Sequence, residues 1–524
     1  EHDATVAIPD GLRGRLWPFP IHPLLIAAYP ILLAYSDNLA EVVLSEIVRP
    51  LLGALAVAAV LTLGLGLVLR DLRRGALVAS VVVAIWFAWN YLLLVTAAAG
   101  ASMTIGAIVI VWLALMAIAI SLRLPERRIG SVTSAVNVMA GLMLAIEAIP
   151  IVPHELRATT PPIPLAERPA PAAGSRDVWF LVFDRYGNNE ALEDAAGIEN
   201  DLPAWLAAQG FSVASEARAN YGRTALSLSA TLNMTYLDDI VARLGPASDD
   251  EVPLTDMLRD NRVGRFLQER GYRYVQVGSW FGPTKYSAIA DENPVMPGRS
   301  DFVNNVLRNA SIVPLIDTLT NSQEPPSHDL LHREAALFDW AELDRVSQEP
   351  GPKFVFGHVL LPHEPYVFNA DGSYSHLSLV DSKYSAEAHR QQLAYTNGHI
   401  RDLVSRLLDV PAAEQPIVIV AADEGPYPDA YAFDPDRFDW ATATDDDLVR
   451  KYGVLMAMYL PGEAAADVPE PYSDMSVINT FPIVFDRYFD QQIPLFDDRS
   501  YTSQSWSRPY DLTDITERLD SAMP

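Results

Sequence analysis

Uncharged apolar segments dominate the first third of the chain. Residues 75–122 form a run of 48 residues without a charged side chain, and shorter uncharged runs cover residues 16–36 and 50–69. Another run, residues 129–153, is interrupted only by Glu147. This residue is near the outer end of its span, where it is either a functional acid or an acid that reaches water. A hydrocarbon core about 30 Å thick needs roughly 20 helical residues, so the longest run predicts two spans. The whole pattern predicts a bundle of five transmembrane helices.

The charges between these runs predict the orientation of the helices. Arginines lie before the first span and follow the second and fourth spans, whereas the other loops are acidic or uncharged. They are Arg13, Arg15, Arg70, Arg73, Arg74, Arg123, Arg127 and Arg128. Positive loops of multi-pass proteins lie on the cytoplasmic side. The protein is therefore predicted to lie in a bacterial-type plasma membrane with its N-terminus on the cytoplasmic side. The chain after the fifth span is predicted to be extracytoplasmic.

A stretch rich in Pro and Ala, residues 157–175, separates the apolar segment, residues 1–156, from residues 176–524. Its composition predicts a semi-rigid spacer. Beyond it, strand and helix patterns alternate. Buried strands are predicted at 177–183, 353–361 and 416–421, weaker ones at 272–277 and 452–459, and helices at 201–209, 224–233, 261–270, 328–346 and 385–408. This alternation predicts an extracytoplasmic α/β domain with a mostly parallel sheet.

Composition and charge narrow the classes of function. The chain has 524 residues, no cysteine and a net charge of −28. Without cysteine there is no disulfide, no Cys-ligated zinc and no thiol nucleophile. Residues 157–524 carry −27 of the charge, so no nucleic-acid partner is expected. Such a domain can attract divalent cations, although a solvated acidic surface is the more ordinary interpretation.

Polar residues follow the three predicted buried strands. Asp184 follows the first strand, and Asp423 and Glu424 follow the third, in each case shortly before a glycine, while His363 follows the middle strand. Ligands collect at the carboxyl ends of parallel strands, so the two acidic ends predict a site for a hard cation. An Asp before a Gly is also ordinary turn chemistry. His358 lies inside the apolar strand and is expected to be a core residue.

One further segment places a hydroxyl at the start of a helix. In residues 220–233 (NYGRTALSLSATLN) a glycine-containing loop leads into a predicted helix, with Thr224 near its N-terminus. There the hydroxyl would lie among free backbone N–H groups at the positive end of the helix dipole. A threonine N-cap without special function is the common alternative. The adjacent Arg223 is either solvated or able to hold a phosphate through two hydrogen bonds.

Together these motifs resemble the alkaline phosphatase/sulfatase superfamily, and in particular its membrane branch of lipoteichoic acid synthases and lipid A phosphoethanolamine transferases. In that branch about five spans precede an extracytoplasmic α/β domain. The resemblance implies that Asp184 and Asp423 are metal ligands and that Thr224 is the nucleophile that begins a helix. It also implies a catalytic and substrate-binding role for His363. The chain departs from the family at Glu424, where the family has the His of an Asp-His-Gly motif.

The resemblance implies one divalent metal ion (Mn²⁺, Mg²⁺, Ca²⁺ or Zn²⁺) held by Asp184, Thr224, Asp423 and Glu424. A carboxylate at Glu424 makes the site all-oxygen and disfavours zinc. The implied function is a membrane-anchored phosphotransferase that moves a phosphorylated head group from a phospholipid donor to an extracytoplasmic glycan or lipid acceptor. Thr224 would form a phosphothreonine intermediate, and Arg223 and His363 would bind the substrate. The alternatives are a phosphodiesterase or phosphatase with water as acceptor, and a catalytically silent envelope protein that binds a glycan or a partner.

Overall fold

The first part of the chain is helical. The computed structural model describes residues 19–98, 100, 102–157, 161–297, 328–375, 385–433, 438–463, 465 and 468–523. Before residue 158, these residues form α1 (His22–Ser36), α2 (Leu44–Leu69), α3 (Leu72–Ala98), α4 (Met103–Arg123) and α5 (Glu126–Glu155). Helices α2 to α5 are long and apolar enough to cross a membrane. Helix α1 has only 15 residues and the start of its predicted span, residues 16–18, lies outside the described residues, so the fifth span stays a prediction.

Apolar side chains of this helical unit are exposed and an acidic one is buried, as expected for a bundle of helices in a membrane. Large apolar side chains such as Val60, Leu67 and Ile149 are more than half exposed, which suits hydrocarbon and is costly in water. Glu147 is buried instead, and its carboxylate accepts a 2.5 Å hydrogen bond from the hydroxyl of Ser36 on α1. The acid of the fifth predicted span therefore contacts a neighbouring helix.

A six-stranded sheet lies at the centre of the second unit, in the order β2–β6–β5–β1–β4–β3. Its strands are β1 (Val178–Phe183), β2 (Ser212–Val213), β3 (Arg273–Val277), β4 (Lys353–Val359), β5 (Ile417–Ala421) and β6 (Met456–Tyr459). Strands β1, β3, β4 and β5 are parallel, and β6 is antiparallel to β5. The prediction of a mostly parallel sheet is confirmed. A separate hairpin consists of β7 (Tyr501–Ser505) and β8 (Arg508–Asp514).

Helices pack around this sheet and bury its central strands. The described helices of this unit are α6 (Asn189–Ala196), α7 (Leu202–Ala208), α8 (Thr224–Asn233), α9 (Asp238–Leu244), α10 (Val252–Arg259), α11 (Arg262–Gln268), α12 (Gly282–Lys285), α13 (His328–Ser347), α14 (Ala386–Leu408), α15 (Asp429–Phe433), α16 (Asp445–Tyr452), α17 (Thr480–Phe489) and α18 (Thr516–Ala522). Every residue of β1, β4 and β5 is buried. Burial on both faces explains why these strands have continuous apolar sequences without alternation.

The predicted spacer, residues 157–175, packs in part against the α/β unit. The guanidinium of Arg168 lies 2.7 Å from the carboxylate of Asp291 and donates a second 2.7 Å hydrogen bond to the backbone carbonyl of Tyr272. Arg168 is 9% exposed. A free spacer would not bury a paired arginine, so the second half of this stretch is part of the domain surface.

Candidate metal centre

Three ionisable side chains converge at the carboxyl ends of β1, β4 and β5. In the register of the sheet, Val182 of β1 pairs with His358 on one side and Ala421 on the other. Asp184 and Asp423 lie two residues beyond Val182 and Ala421, so all three side chains reach the same edge. One ligand atom from each of Asp184, His358 and Asp423 lies within 4.8 Å of the others, and all three residues are buried.

His358 presents one ring nitrogen without a hydrogen-bond partner. Its Nδ1 lies 2.8 Å from the hydroxyl of Thr284, whereas no hydrogen bond is made to its Nε2 within the described part of the chain. His358 is completely buried, as expected of a core residue, but its hydrogen-bonding capacity is only half used. An apolar strand sequence does not distinguish a core histidine from a candidate ligand, because both occur in buried strands.

The carboxylates beside His358 are also incompletely partnered. Oδ1 of Asp184 is buried without a hydrogen bond from any described residue, and both oxygens of Asp423 are buried with the hydroxyl of Thr224 close to them. Burial raises the pKa of Asp184 well above its ordinary value, and the adjacent charge of Asp423 raises it further. Buried carboxylates without hydrogen bonds are expensive unless a cation compensates them. One imidazole nitrogen and two carboxylates form a donor set that fits a catalytic divalent ion, zinc included.

Glu424, expected among the ligands, has other partners. Its Oε1 lies 2.9 Å from the ammonium of Lys451 and 3.2 Å from Nε of Arg185, and its Oε2 is buried without a partner among the described residues. It is not part of the group formed by Asp184, His358 and Asp423. Glu424 as a metal ligand therefore stays a prediction, while the imidazole of His358 on the neighbouring strand is a candidate ligand that the all-oxygen expectation did not include.

Thr224 is the first residue of α8 and is half-buried. Burial raises the pKa of Asp423, and the nearby hydroxyl of Thr224 acts in the opposite direction. The preceding loop needs a glycine, since a Cβ on Gly222 would lie 2.6 Å from the hydroxyl oxygen of Tyr452. The structure thus places the predicted nucleophile at a helix N-terminus beside one of the predicted metal ligands.

His363 lies close to Asp184, with its Nε2 4.0 Å from that carboxylate. Its Nδ1 is hydrogen-bonded to the backbone carbonyl of Glu364, which can only accept, so Nδ1 holds the proton of the neutral ring. Burial, and then the charge of Arg185, lower the pKa of His363 well below its usual value. The neutral ring therefore has its lone pair on Nε2.

Arg223 is already engaged by protein groups. Its guanidinium lies 2.5 Å from Glu251, donates a 3.0 Å hydrogen bond to the carbonyl of Trp506 and stacks over the Trp506 ring at 4.2 Å. A substrate phosphate would have to compete with Glu251 for this residue. Its role in substrate binding stays a prediction.

Two cations near the site were missed by the sequence analysis. Arg185 adopts a positive φ of 59° directly after Asp184, and its guanidinium lies 2.5 Å from Glu364. Lys451 is completely buried. The available signals were the adjacency of Arg185 to an acidic strand end and the rarity of lysine, of which this chain has only four.

Comparisons with known proteins give similarities at the level of solved structures. No family model and no curated protein matches the chain. The C-terminal periplasmic domain of EcEptC from Escherichia coli has a TM-score of 0.40 at 14% identity, covering 66% of this chain and 96% of that one. Lipooligosaccharide phosphoethanolamine transferase A (EptA) from Neisseria meningitidis, an integral membrane protein, has a TM-score of 0.37 at 13% identity, with coverages of 89% and 93%. The phosphonate monoester hydrolase of Agrobacterium radiobacter has a TM-score of 0.36 at 12% identity, with coverages of 63% and 80%. Because these scores are low, the proposals below rest on the residues of this chain.

Proposed function

We propose that this chain is a membrane-anchored, metal-dependent phosphotransferase. It would move a phosphorylated head group from a phospholipid donor to an extracytoplasmic glycan or lipid acceptor. The observation that supports this best is the convergence of Asp184, His358 and Asp423, with unpartnered buried donor atoms, beside a helix that begins with Thr224. A lipid donor is supported by the apolar helices of the same chain, since phospholipid head groups are the abundant phosphodiesters at a membrane.

The residues of the site suit a two-step transfer. A divalent ion held by Asp184, His358 and Asp423 would stabilise negative charge on the nucleophile and on the phosphoryl oxygens. The Oγ of Thr224 forms a bond to phosphorus while the bond from phosphorus to the leaving alcohol breaks, and the N-terminus of α8 favours the anionic group there. In the second step an acceptor alcohol displaces Thr224 and takes over the phosphorylated group.

His363 is the group that we assign to carry the proton between these alcohols. Its neutral ring has a lone pair on Nε2, so it can accept the proton of Thr224 and deliver it to the leaving oxygen. In the second step it would accept the proton of the incoming alcohol. The lowered pKa of His363 favours its neutral form, which it needs at the beginning of the first step in order to accept a proton.

The test uses the full chain in proteoliposomes that contain a phospholipid with a labelled head group. We expect release of diacylglycerol and a label on the protein, both of which Thr224→Val abolishes. The matched control is Thr231→Val, which removes a buried hydroxyl two turns along the same helix that donates only to the carbonyl of Ser227. Labelling that survives in Thr224→Val would overturn the assignment of the nucleophile.

The same assay separates the alternatives. If donor is consumed equally with and without an acceptor alcohol, and free phosphorylated head group accumulates, the protein is a hydrolase. A wild-type chain that neither binds a divalent ion nor consumes donor is a silent relative, and the proposal is then wrong.

A further inference from the structure

Gln392 on α14 makes four hydrogen bonds to the segment of chain that contains His363. Its amide nitrogen donates to the carbonyl oxygens of Pro362 and His363, at 3.2 and 2.7 Å. Its Oε1 accepts from the backbone N–H groups of Val367 and Phe368, at 2.8 and 3.2 Å. The residue is 0% exposed. An amide has two N–H donors and one oxygen with two lone pairs, so these four bonds use its full capacity.

The segment that Gln392 contacts, residues 362–368, depends on side chains for part of its backbone hydrogen bonding. Residues 362–367 lie outside the helices and strands, and most of them are buried. Buried backbone N–H and C=O groups need partners, and a segment without a helix or a strand ladder must find them elsewhere. Here Gln392 bonds both the beginning and the end of the segment. It therefore fixes the course of the backbone between them.

Two aromatic contacts join α14 to the second half of the same segment. The ring of His389 stacks on Tyr366 with centroids 5.1 Å apart, and the ring of Tyr395 stacks on Phe368 at 4.1 Å. These contacts reach side chains beyond the turn that holds the imidazole. Of these three α14 side chains, Gln392 is the one with a described hydrogen bond to residue 363.

The direction of the His363 ring follows from this backbone. The carbonyl of His363 is held by Gln392, and Nδ1 of the ring is hydrogen-bonded to the next carbonyl, that of Glu364. Nε2 on the other side of the ring lies 4.0 Å from the carboxylate of Asp184. A shift of the backbone at residues 363 and 364 would therefore turn Nε2 away from its present place.

We propose that Gln392 is a positioning residue for His363, which holds the backbone of residues 362–368 so that the imidazole stays beside Asp184 where Thr224 reacts. This inference rests on the proposed function, in which His363 carries the proton. Gln392 is assigned no contact with the substrate or the metal ion, and its effect on the reaction is exerted through the ring of His363.

The test measures donor consumption in the proteoliposome assay of the full chain. Gln392→Met keeps an unbranched side chain of similar length and removes all four hydrogen bonds. We expect kcat to fall about ten- to a hundredfold, because misplaced reacting groups are costly. The KM for the donor should change by less than about twofold, since His363 acts in the reaction more than in binding.

Gln268→Met is the matched control. Gln268 is likewise a buried glutamine, and its amide donates to the carbonyl of Ile289 and the carboxylate of Asp291 in another loop. Both variants should melt at a lower temperature than the wild type, because each loses buried hydrogen bonds. Only Gln392→Met should lose kcat.

A double variant separates positioning of His363 from a general loss of order. In a chain that already has His363→Ala, the further change Gln392→Met should alter the remaining kcat by less than about twofold, since the group that it positions is gone. The melting temperature of that chain should still fall. A role of Gln392 in stability alone would lower the temperature and show no such dependence on His363.

If Gln392→Met does not fold, the same comparisons use Gln392→Glu. A carboxylate keeps the bonds from the N–H groups of Val367 and Phe368 and loses the donation to the carbonyl of His363, so kcat should fall in this variant too.

Three results would overturn the inference while His363→Ala is slow. They are wild-type kcat in a folded Gln392 variant, an equal loss of kcat in Gln268→Met, and losses that multiply in the double variant. A wild type that consumes no donor contradicts the proposed function and this inference with it. Full activity of His363→Ala contradicts the assignment of the proton carrier and likewise removes the basis of the inference.

Discussion

The hydroxyl of Ser227 donates a 2.7 Å hydrogen bond to the backbone carbonyl of Asp423. This bond joins the first turn of the helix that Thr224 begins to the end of β5, where a proposed metal ligand lies. Two residues further along, the hydroxyl of Ser229 donates a 3.0 Å hydrogen bond to the carbonyl of Leu254 on α10. The two serines are equally buried and belong to one helix, but only Ser227 contacts the site.

Replacing Ser227 by Ala should therefore loosen the position of Thr224 relative to Asp423. We expect a loss of about 1–2 kcal/mol in the free energy of unfolding, since a buried carbonyl loses its partner, and a transfer rate lowered about tenfold or more because misplaced reacting groups are costly. The measurements are denaturant unfolding and the proteoliposome assay. Ser229→Ala should lose similar stability and keep its rate. Equal rates in the two variants would contradict the coupling of α8 to the metal centre.

Thr284 should orient the imidazole ligand. Its hydroxyl contacts Nδ1 of His358, and partners of this kind typically contribute 10- to 100-fold to metal affinity. We expect Thr284→Val to weaken metal binding by about that factor, as measured by competition with a chelator. Thr396→Val, which removes an equally buried hydroxyl that donates to the carbonyl of Gln392, is the control and should bind metal like the wild type. If both variants keep full affinity, Thr284 does not orient a metal ligand.

Most of the α/β unit was predictable because local sequence and long-range packing favour the same elements. The apolar runs at 177–183, 353–361 and 416–421 coincide with β1, β4 and β5, since strands buried on both faces need continuous apolar sequences. Thr224 could be predicted at the start of a helix because a glycine-containing loop ends there and apolar residues at helical spacing begin. The short strand β2 and the hairpin of β7 and β8 have weaker patterns and were not predicted.

The candidate site was only half predictable. Asp184 and Asp423 could be identified from the sequence because each is an acid at the end of a predicted strand, which is a local feature. His358 becomes a candidate ligand only through the parallel register that sets it beside Val182. Lys451 pairs with Glu424 across 27 positions of the chain, and no local pattern reveals which buried acid has a cation. Contacts between distant segments therefore decide the ligand set.

The turn between α2 and α3 offers a test of the membrane unit. A Cβ on Gly75 would lie 2.3 Å from the backbone nitrogen of Gly66, whereas one on Gly64 would meet no atom within 4 Å. We expect Gly75→Ala to destabilise the helix pair by about 1–3 kcal/mol through overpacking, and Gly64→Ala to leave it unchanged or slightly more stable. Thermal unfolding in detergent measures both. Equal melting temperatures would show that these helices do not approach as closely as described.

The buried imidazole of His389 should make stability depend on pH. The ring is 4% exposed and stacks on Tyr366, and burial, followed by the charge of Arg450, lowers its pKa from 6.5 to about 4. Between these values the unfolded chain binds a proton that the folded chain does not. The free energy of unfolding should therefore fall as the pH decreases from about 6.5 to about 4, and His389 should account for about 2 kcal/mol between pH 7 and pH 5. His389→Phe keeps an aromatic ring without a charge, so the difference in unfolding free energy between pH 7 and pH 5 should shrink by that amount in urea titrations of the full chain.

His399→Phe is the control, because His399 is less buried and its contribution should be smaller. A pH dependence that is the same in wild type and His389→Phe would show that His389 is not held neutral by the fold.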